Sequence, residues 1–234
     1  MRLHPAARGL GWLLRAHYDR PASCSSELVV LRKSPFIIPS APVLAKAPPT
    51  GPEWLHEVKF DGFRVQLHLA GDDVVVFTRN GNDVTRRFRP IAAGVAALPA
   101  RSAIIDAEMV VCDDDDRPSF GALMAGKQTA LCAWCFDLMG LDNHDLRTEP
   151  LDNRRERLRQ LLIDAGNRLL RFSEDFSDPE KLLAAAERMG LEGIVSKRRN
   201  QFYRSGKNPG WIKVKTATWR AANRERYKLF EKRD

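Results

Sequence analysis

The chain has 234 residues, 44% apolar and 29% charged, ordinary values for a soluble globular protein of one large or two small domains with a substantial core. Its four cysteines make no disulfide framework, no apolar run approaches the ~20 residues needed to cross a bilayer, and Arg15 ends the apolar patch at 10–14 too soon for a secretory signal. The net charge of +8 sits at the ends: residues 1–33 hold six Arg/Lys against two acids and residues 219–234 six against three, leaving about +1 between them. Such flanks suit a polyanion, nucleic acid first, and equally fit solvated termini. The expectation is a cytoplasmic monomer with no membrane segment.

Residues 1–33 read as a basic N-terminal arm, loose or a short helix. The proline-rich stretch 34–54 is an extended lead-in. Residues 56–69 and 73–79 alternate apolar and polar side chains about an Ala70-Gly71-Asp72 turn and predict a hairpin. Asn80-Gly81-Asn82-Asp83 is a second turn. Residues 88–98 predict a helix with Pro90 near its start, and 103–112 a strand rich in Ile and Val. Asp113 to Asp116 read as a solvated loop, or as metal ligands if a cation is present. Residues 131–138 predict a buried strand in which Cys132 and Cys135 are core thiols, a redox or metal pair being the alternative. Residues 152–165 predict a helix capped by Asp152 with a basic face. Asp178-Pro179-Glu180 opens another helix that Gly190 closes. Short strands at 193–197 and 211–215 complete an α+β pattern without a regular βαβ rhythm. The catalytic body is 34–218 and a basic tail is 219–234.

Glu57-Val58-Lys59-Phe60-Asp61-Gly62-Phe63-Arg64 carries the densest chemistry. In a strand, Glu57, Lys59 and Asp61 share one face while Val58 and Phe60 point to a core. A free lysine has a pKa near ~10.4, so only roughly one in 10³ is unprotonated at neutral pH. Lys59 as a nucleophile therefore needs burial or cations, against the pull of Glu57 and Asp61. Lys213 and Lys215, on one face of Trp211-Ile212-Lys213-Val214-Lys215, are candidates, and a divalent metal on carboxylates is another. Asp106 and Glu108 share a face opposite Ile105 and Ala107, costly in so apolar a strand unless a metal, hydroxyl or cation is bound. Arg79 ends a strand beside a tight turn, and Glu192 precedes a glycine and a β-rich run ending at Lys197. Each of these, taken singly, also fits a surface ion pair.

In this order the pieces resemble the covalent nucleotidyltransferase superfamily of ATP-dependent DNA ligases, RNA ligases and mRNA capping enzymes, and most closely the ligase domain of bacterial end-joining DNA ligases. Lys59 to Arg64 matches the KxDGxR motif. Thr78-Arg79-Asn80-Gly81, Ile105-Asp106-Ala107-Glu108, Phe136-Asp137-Leu138, Glu192-Gly193-Ile194-Val195-Ser196-Lys197 and Trp211 to Lys215 resemble the segments that follow it, with Tyr203 to Lys207 a basic segment before the last.

The resemblance implies a nucleotidyltransferase (ATP-grasp-like) α+β domain of antiparallel sheets flanked by helices, with a nucleotide cleft between them. It also implies ATP as cofactor, Mg²⁺ or Mn²⁺, and nicked or broken double-stranded DNA as partner. Lys59 is the implied catalytic residue, forming lysyl-AMP. Glu57 would accept a hydrogen bond from the adenine amino group and Phe136 would stack on the base. Arg64 and Glu108 would meet the ribose or nick phosphate, and Arg79 phosphate charge. Glu192 and Glu108 are the implied metal ligands, while Lys213 and Lys215 neutralise the α-phosphate and lower the pKa of Lys59. Lys197 joins the nucleotide site only if its strand twists or bulges, since regular alternation puts it opposite Glu192. The 19 residues after Lys215 are too few for the OB-fold that follows this domain in the family, so such a domain, or an end-joining protein, is expected in trans. An RNA-ligase type of adenylyltransferase and a non-catalytic nick-binding repair subunit are the alternatives.

Overall fold

A computed structural model describes residues 35–111, 123 and 130–223, all within the unit Leu31–Asp234. The expected arm at 1–33, the aspartates at 113–116 and the tail beyond residue 223 lie outside the described residues.

The lead-in is extended, as its prolines require, and its middle forms β1 (Ser40–Leu44). The apolar alternation that predicts one strand over 56–69 instead yields two, β2 (Trp54–Lys59) and β3 (Phe63–Ala70), which belong to different sheets. β4 (Asp73–Thr78) completes the expected hairpin with β3 through Gly71 at φ +60°. α1 (Arg89–Ala96) has its proline in the first turn, where no amide hydrogen is needed, and buries Ile91 and Val95. β5 (Ser102–Val111), β6 (Leu131–Leu141) and β7 (His144–Asp145) follow.

α2 (Leu151–Ala165) departs from expectation in two ways. Its N-cap is Pro150, and Asp152 lies in the first turn, paired with Arg199 at 3.2 Å. Its basic face is divided: Arg157 and Arg159 point towards solvent, paired with Glu149 and Glu174, but Arg154 and Arg155 are buried, with the stripe Leu151, Leu158, Leu161 and Leu162. β8 (Leu170–Phe172) and β9 (Asp175–Phe176) lead to α3 (Pro179–Arg188), whose Asp178 cap accepts from the Lys181 amide at 3.0 Å and whose exit uses Gly190 at φ +67°. β10 (Gly193–Arg198), β11 (Gly206–Lys215) and α4 (Ala217–Ala222) finish the described chain; α4 runs across the boundary expected at 218.

The strands form two sheets, ordered β1-β11-β10-β2-β9 and β4-β3-β5-β6-β7, with β8 beside β6. Most neighbours are antiparallel, but β1–β11 and β6–β8 are parallel, so the sheets are mixed and not purely antiparallel as expected. The physical reason is connection length: β1 lies far from β11 in sequence, and α2 is the crossover that returns β8 parallel to β6.

Each sheet buries one face under helices. Val65, Leu67, Ile105, Ala107 and Met109 of the second sheet pack with Ile91 and Val95 of α1 and Leu158 and Leu162 of α2. Val58, Ile194 and Val214 of the first sheet pack with Leu182 and Ala186 of α3. A fully buried side chain of this kind contributes roughly 1.5–3 kcal/mol. The alternate residues, polar in the sequence, line a cleft of about 1520 Å³. That is larger than the roughly 300–1,000 Å³ of a usual small-ligand pocket. No helix among the described residues is long and apolar enough to cross a membrane.

Candidate active site

The KxDGxR segment is the crossing between the sheets. Lys59 ends β2, Phe63 begins β3, and the chain passes over in Phe60-Asp61-Gly62. Phe60 stacks on Trp134 at 4.7 Å and 12° between planes, beside Val110 and Cys132. A Cβ on Gly62 would stand 2.2 Å from the Met109 carbonyl oxygen, so only glycine lets the two backbones approach this closely. The expectation that Glu57, Lys59 and Asp61 share one strand face holds for the first two; Asp61 lies beyond the strand end, with the Trp219 indole nitrogen donating to it at 3.4 Å.

Lys59 lies 2.8 Å from Glu192, and the other oxygen of Glu192 lies 3.0 Å from Lys215. One carboxylate thus bridges two ammonium groups. Burial works to lower the pKa of Lys59, but Glu192, Glu108 and Asp61 outweigh it and raise it. This corrects the expectation that Lys213 and Lys215 would depress it: in the free protein the carboxylates win, and Lys59 is held protonated. The neighbouring cations bear the cost. Lys213 is lowered by burial and then by repulsion from Lys59 and Lys215; Lys215 is lowered by burial against the pull of Glu192. Lys215 also lies 3.9 Å above the Trp219 ring. The Glu108 carboxylate accepts no hydrogen bond from a described residue, although its backbone is paired in the sheet. Burial, opposed by Lys59 and Arg64, raises its pKa to about 7.

Glu57 does not serve Lys59 at all. Its Oε1 accepts from Arg155 at 2.6 Å and from Lys197 at 2.8 Å, and its Oε2 accepts from Ser173 at 3.0 Å. Lys197 does reach the cleft together with Glu192. The alternation resets at Gly193, whose φ is +153° and whose hypothetical Cβ would be 2.0 Å from the Val214 oxygen. The Lys197 ammonium rests 4.3 Å from the Phe136 ring and 4.4 Å from that of Trp211, and burial followed by Arg155 lowers its pKa. Phe136 is the extra residue at a shift in the β5–β6 register, where Ala107 pairs with Cys135 and Asp106 with Asp137. The shift turns Asp137 off the core face and gives its place to Leu138. Asp137 is then held by Arg154 through two contacts of 2.8 Å.

Arg64 is already engaged. It donates to both oxygens of Asp106, at 2.9 and 2.7 Å, and to the Ser40 carbonyl at 2.5 Å; the Tyr203 hydroxyl donates to Asp106 at 3.1 Å. Arg79 stands exposed at the rim, past the end of β4. Of the expected residues, then, Lys59, Glu108, Glu192, Lys213 and Lys215 gather at one end of the cleft, and Glu57, Phe136 and Lys197 at the other. Sequence reasoning missed Arg155, Ser173 and Trp219. A signal existed for Arg155, because positions 151, 154, 155, 158, 161 and 162 form one helical stripe, and an arginine inside it must be paired.

Among the described residues no cluster of three or more His, Cys, Asp or Glu could hold a metal by itself. Glu108 and Glu192 still fit a magnesium-like ion, which commonly takes only one or two carboxylates beside substrate phosphates and waters. Their mutual repulsion raises Glu108, and a dication would relieve it. Cys132 and Cys135 are buried and belong to different apolar clusters, so they cannot chelate together, and burial pushes the Cys135 thiol upward.

Comparison with known proteins gives consistent matches. A family model described as "ATP dependent DNA ligase domain" matches residues 42–215. The multifunctional non-homologous end joining protein LigD of Pseudomonas aeruginosa is 38% identical over 185 residues, covering 77% of this chain and 22% of that protein. A probable DNA ligase of Beutenbergia cavernae is 37% identical over 199 residues, covering 77% and 38%. Among solved structures, the ligase domain from M. tuberculosis LigD superposes with TM-score 0.67 at 27% identity, covering 76% of this chain and 60% of that one. A mycobacterial DNA ligase D complexed with ATP and MES gives 0.66 at 28% identity, with the same coverage. The chain spans well under half of the length of these two curated relatives.

Proposed function

The chain belongs to the ATP-dependent DNA ligase domain family, and from that premise we propose that it is the adenylyltransferase domain of a strand-joining enzyme. The observation that carries the reading is the placement of Lys59. Its amine ends a strand inside the cleft, paired to Glu192, and Glu192 also holds Lys215. Lys59 gives up one proton to solvent and attacks the α-phosphorus of ATP; an N–P bond forms, the P–O bond to pyrophosphate breaks, and the nitrogen releases a second proton to leave a neutral phosphoramidate N–H. AMP then passes to a 5′-phosphate, and a 3′-hydroxyl displaces it to close the nick.

The amine must shed a proton that Glu192, Glu108 and Asp61 hold in place. Attack therefore follows loosening of the Lys59–Glu192 pair, after which Lys213 and Lys215 disfavour a charge on Lys59 and face the α-phosphate. Glu57 is the acceptor for the adenine amino group, with Phe136 against the base. Arg64 and Glu108 face the ribose or the nick phosphate, and Arg79 on the rim meets the outer phosphates. Lys197 acts by holding Glu57 and not by touching phosphate. Glu108 and Glu192 would hold Mg²⁺ or Mn²⁺, which when bound offsets charge on the phosphate oxygens. The acceptor is nicked or broken double-stranded DNA in repair by end joining, with an OB-fold domain or end-joining protein completing the enzyme and the domain itself monomeric.

Incubation with α-labelled ATP and Mg²⁺ tests this reading. Label should survive denaturation and be absent from Lys59→Ala. No label from the wild type, with nicked DNA still bound, would mean a non-catalytic nick-binding protein instead. Faster transfer to RNA than to DNA ends would assign it to RNA.

A further inference from the structure

We propose that Arg155, on α2, is the positioning residue that sets base selection, by holding the Glu57 carboxylate and the Phe136 backbone in one fixed relation. This rests on the reading above, in which the Glu57–Phe136 end of the cleft takes the base. One guanidinium nitrogen of Arg155 donates to Glu57 Oε1 at 2.6 Å and to the Phe136 carbonyl at 3.3 Å. The other donates to the Ser173 carbonyl at 2.8 Å and to Asp175 at 3.1 Å. A single planar group thus joins β2 and β9 of one sheet to β6 of the other, beside the Phe136 ring. The guanidinium fork is rigid, and the Phe172 ring stacked 4.7 Å away restrains its rotation. It therefore fixes how far Glu57 stands from the ring of Phe136.

The occupancy of Glu57 gives the chemical consequence. A carboxylate offers about four lone-pair sites. Arg155, Lys197 and Ser173 take three of them, leaving one acceptor position with a set direction. Adenine places an amino donor at its six position, where guanine places a carbonyl. An oriented acceptor accommodates the first and repels the second; a carboxylate free to turn would discriminate less. Arg155 touches no group at the Lys59 end, so it does not serve the reacting atoms. A leucine would continue the stripe of α2 at lower desolvation cost, which leaves orientation of Glu57 as the gain from a buried arginine.

The test compares wild type with Arg155→Lys, which keeps the charge and loses the fork, Arg155→Met, and Ser173→Ala. Arg157→Met, at an exposed site on the same helix, is the control. Dissociation constants for ATP and for GTP are measured by calorimetry, and kcat and KM for labelling are measured with each α-labelled nucleotide. Arg155→Lys should reduce the preference for ATP over GTP by about tenfold or more, mainly through KM for ATP, with Ser173→Ala moving it the same way by less. Arg157→Met should leave the ratio unchanged. Equal losses for both nucleotides, or a wild type without preference for ATP, would overturn the proposal. If the wild type binds nucleotide but forms no adduct, the adenylyltransferase reading fails while the ratio of dissociation constants still decides the role of Arg155. If Arg155→Met does not melt cooperatively, the lysine and Ser173→Ala variants decide it.

Discussion

At the Glu57 end of the cleft every charge is answered inside the protein: Arg155 and Lys197 on Glu57, Arg154 on Asp137, all of these side chains being at most 4% exposed. At the Lys59 end the same residue types are left unbalanced. Lys59 and Lys215 share one carboxylate, Lys213 is repelled by both, and Glu108 is held against its normal ionisation. Lys59 is 22% exposed and Lys215 13%. The lesson is that a buried charge network balanced by its own members is a scaffold that can still offer an oriented acceptor, whereas one that lacks a counter-charge is poised for a ligand that brings it. A triphosphate supplies anions to three lysines, and a dication supplies charge to two carboxylates.

The comparison breaks if substitutions at the two ends behave alike. The largest effect is expected at the satisfied end: Arg154→Met leaves Asp137 buried without its partner and should cost about 3–5 kcal/mol in denaturant melts. At the other end the sign reverses. The Glu108 pKa is raised from 4.5 to about 7, so the folded state binds its proton more tightly, and stability is lost as pH rises from the unfolded value through the folded one. Glu108→Gln should therefore be more stable than wild type by about 2 kcal/mol at pH 8, a gain that fades below pH 5, while its labelling by ATP slows.

A smaller effect sharpens the account of Lys59. Its rate of labelling should climb with pH, because the unprotonated amine is the nucleophile. In Glu192→Gln the strongest of the pulls that raise its pKa is gone, so the climb should end at a lower pH than in the wild type, whatever happens to the maximum rate. The smallest effect belongs outside the cleft. Arg147 and Asp145 are 2.7 Å apart but 43% and 52% exposed, and Arg147→Ala should shift thermal stability by no more than about 0.5 kcal/mol.

The parts of the site legible in the sequence are those that depend on strand alternation alone. Glu108 lines the cleft and Asp106, buried on the same side, holds Arg64, while Ile105 and Ala107 face the core, and Lys213 and Lys215 share a face opposite Val214, as period two requires. What could not be read depends on where that period breaks. Val58, Phe60 and the run from Phe63 look like one strand, because a crossing between sheets leaves the apolar pattern nearly intact and only Gly62 marks it. The extra residue at Phe136 and the positive φ at Gly193 each invert the phase with no strong local signature, and they decide the directions of Asp137 and Lys197. Arg154 and Arg155 of α2 escape a reading by charge for a different reason. Charge points to solvent, as holds for Arg157, but helical spacing places these two on the buried stripe, and their partners Asp137 and Glu57 lie far away in sequence.

The three-residue crossing also restricts how the cleft can breathe. From Lys59 to Phe63 the chain can span at most about 14 Å. With Gly62 seated against Met109 it acts as a short tether between the sheets. Separation of the sheets must then be a rocking about this tether, wide at Arg79 on the rim and small at Lys59 and at Trp219, which is bonded to Asp61 in the crossing. A pair of spectroscopic labels on the rim would register nucleotide entry, while a pair flanking the crossing would stay nearly silent: the nucleophile sits at the pivot, where the molecule moves least.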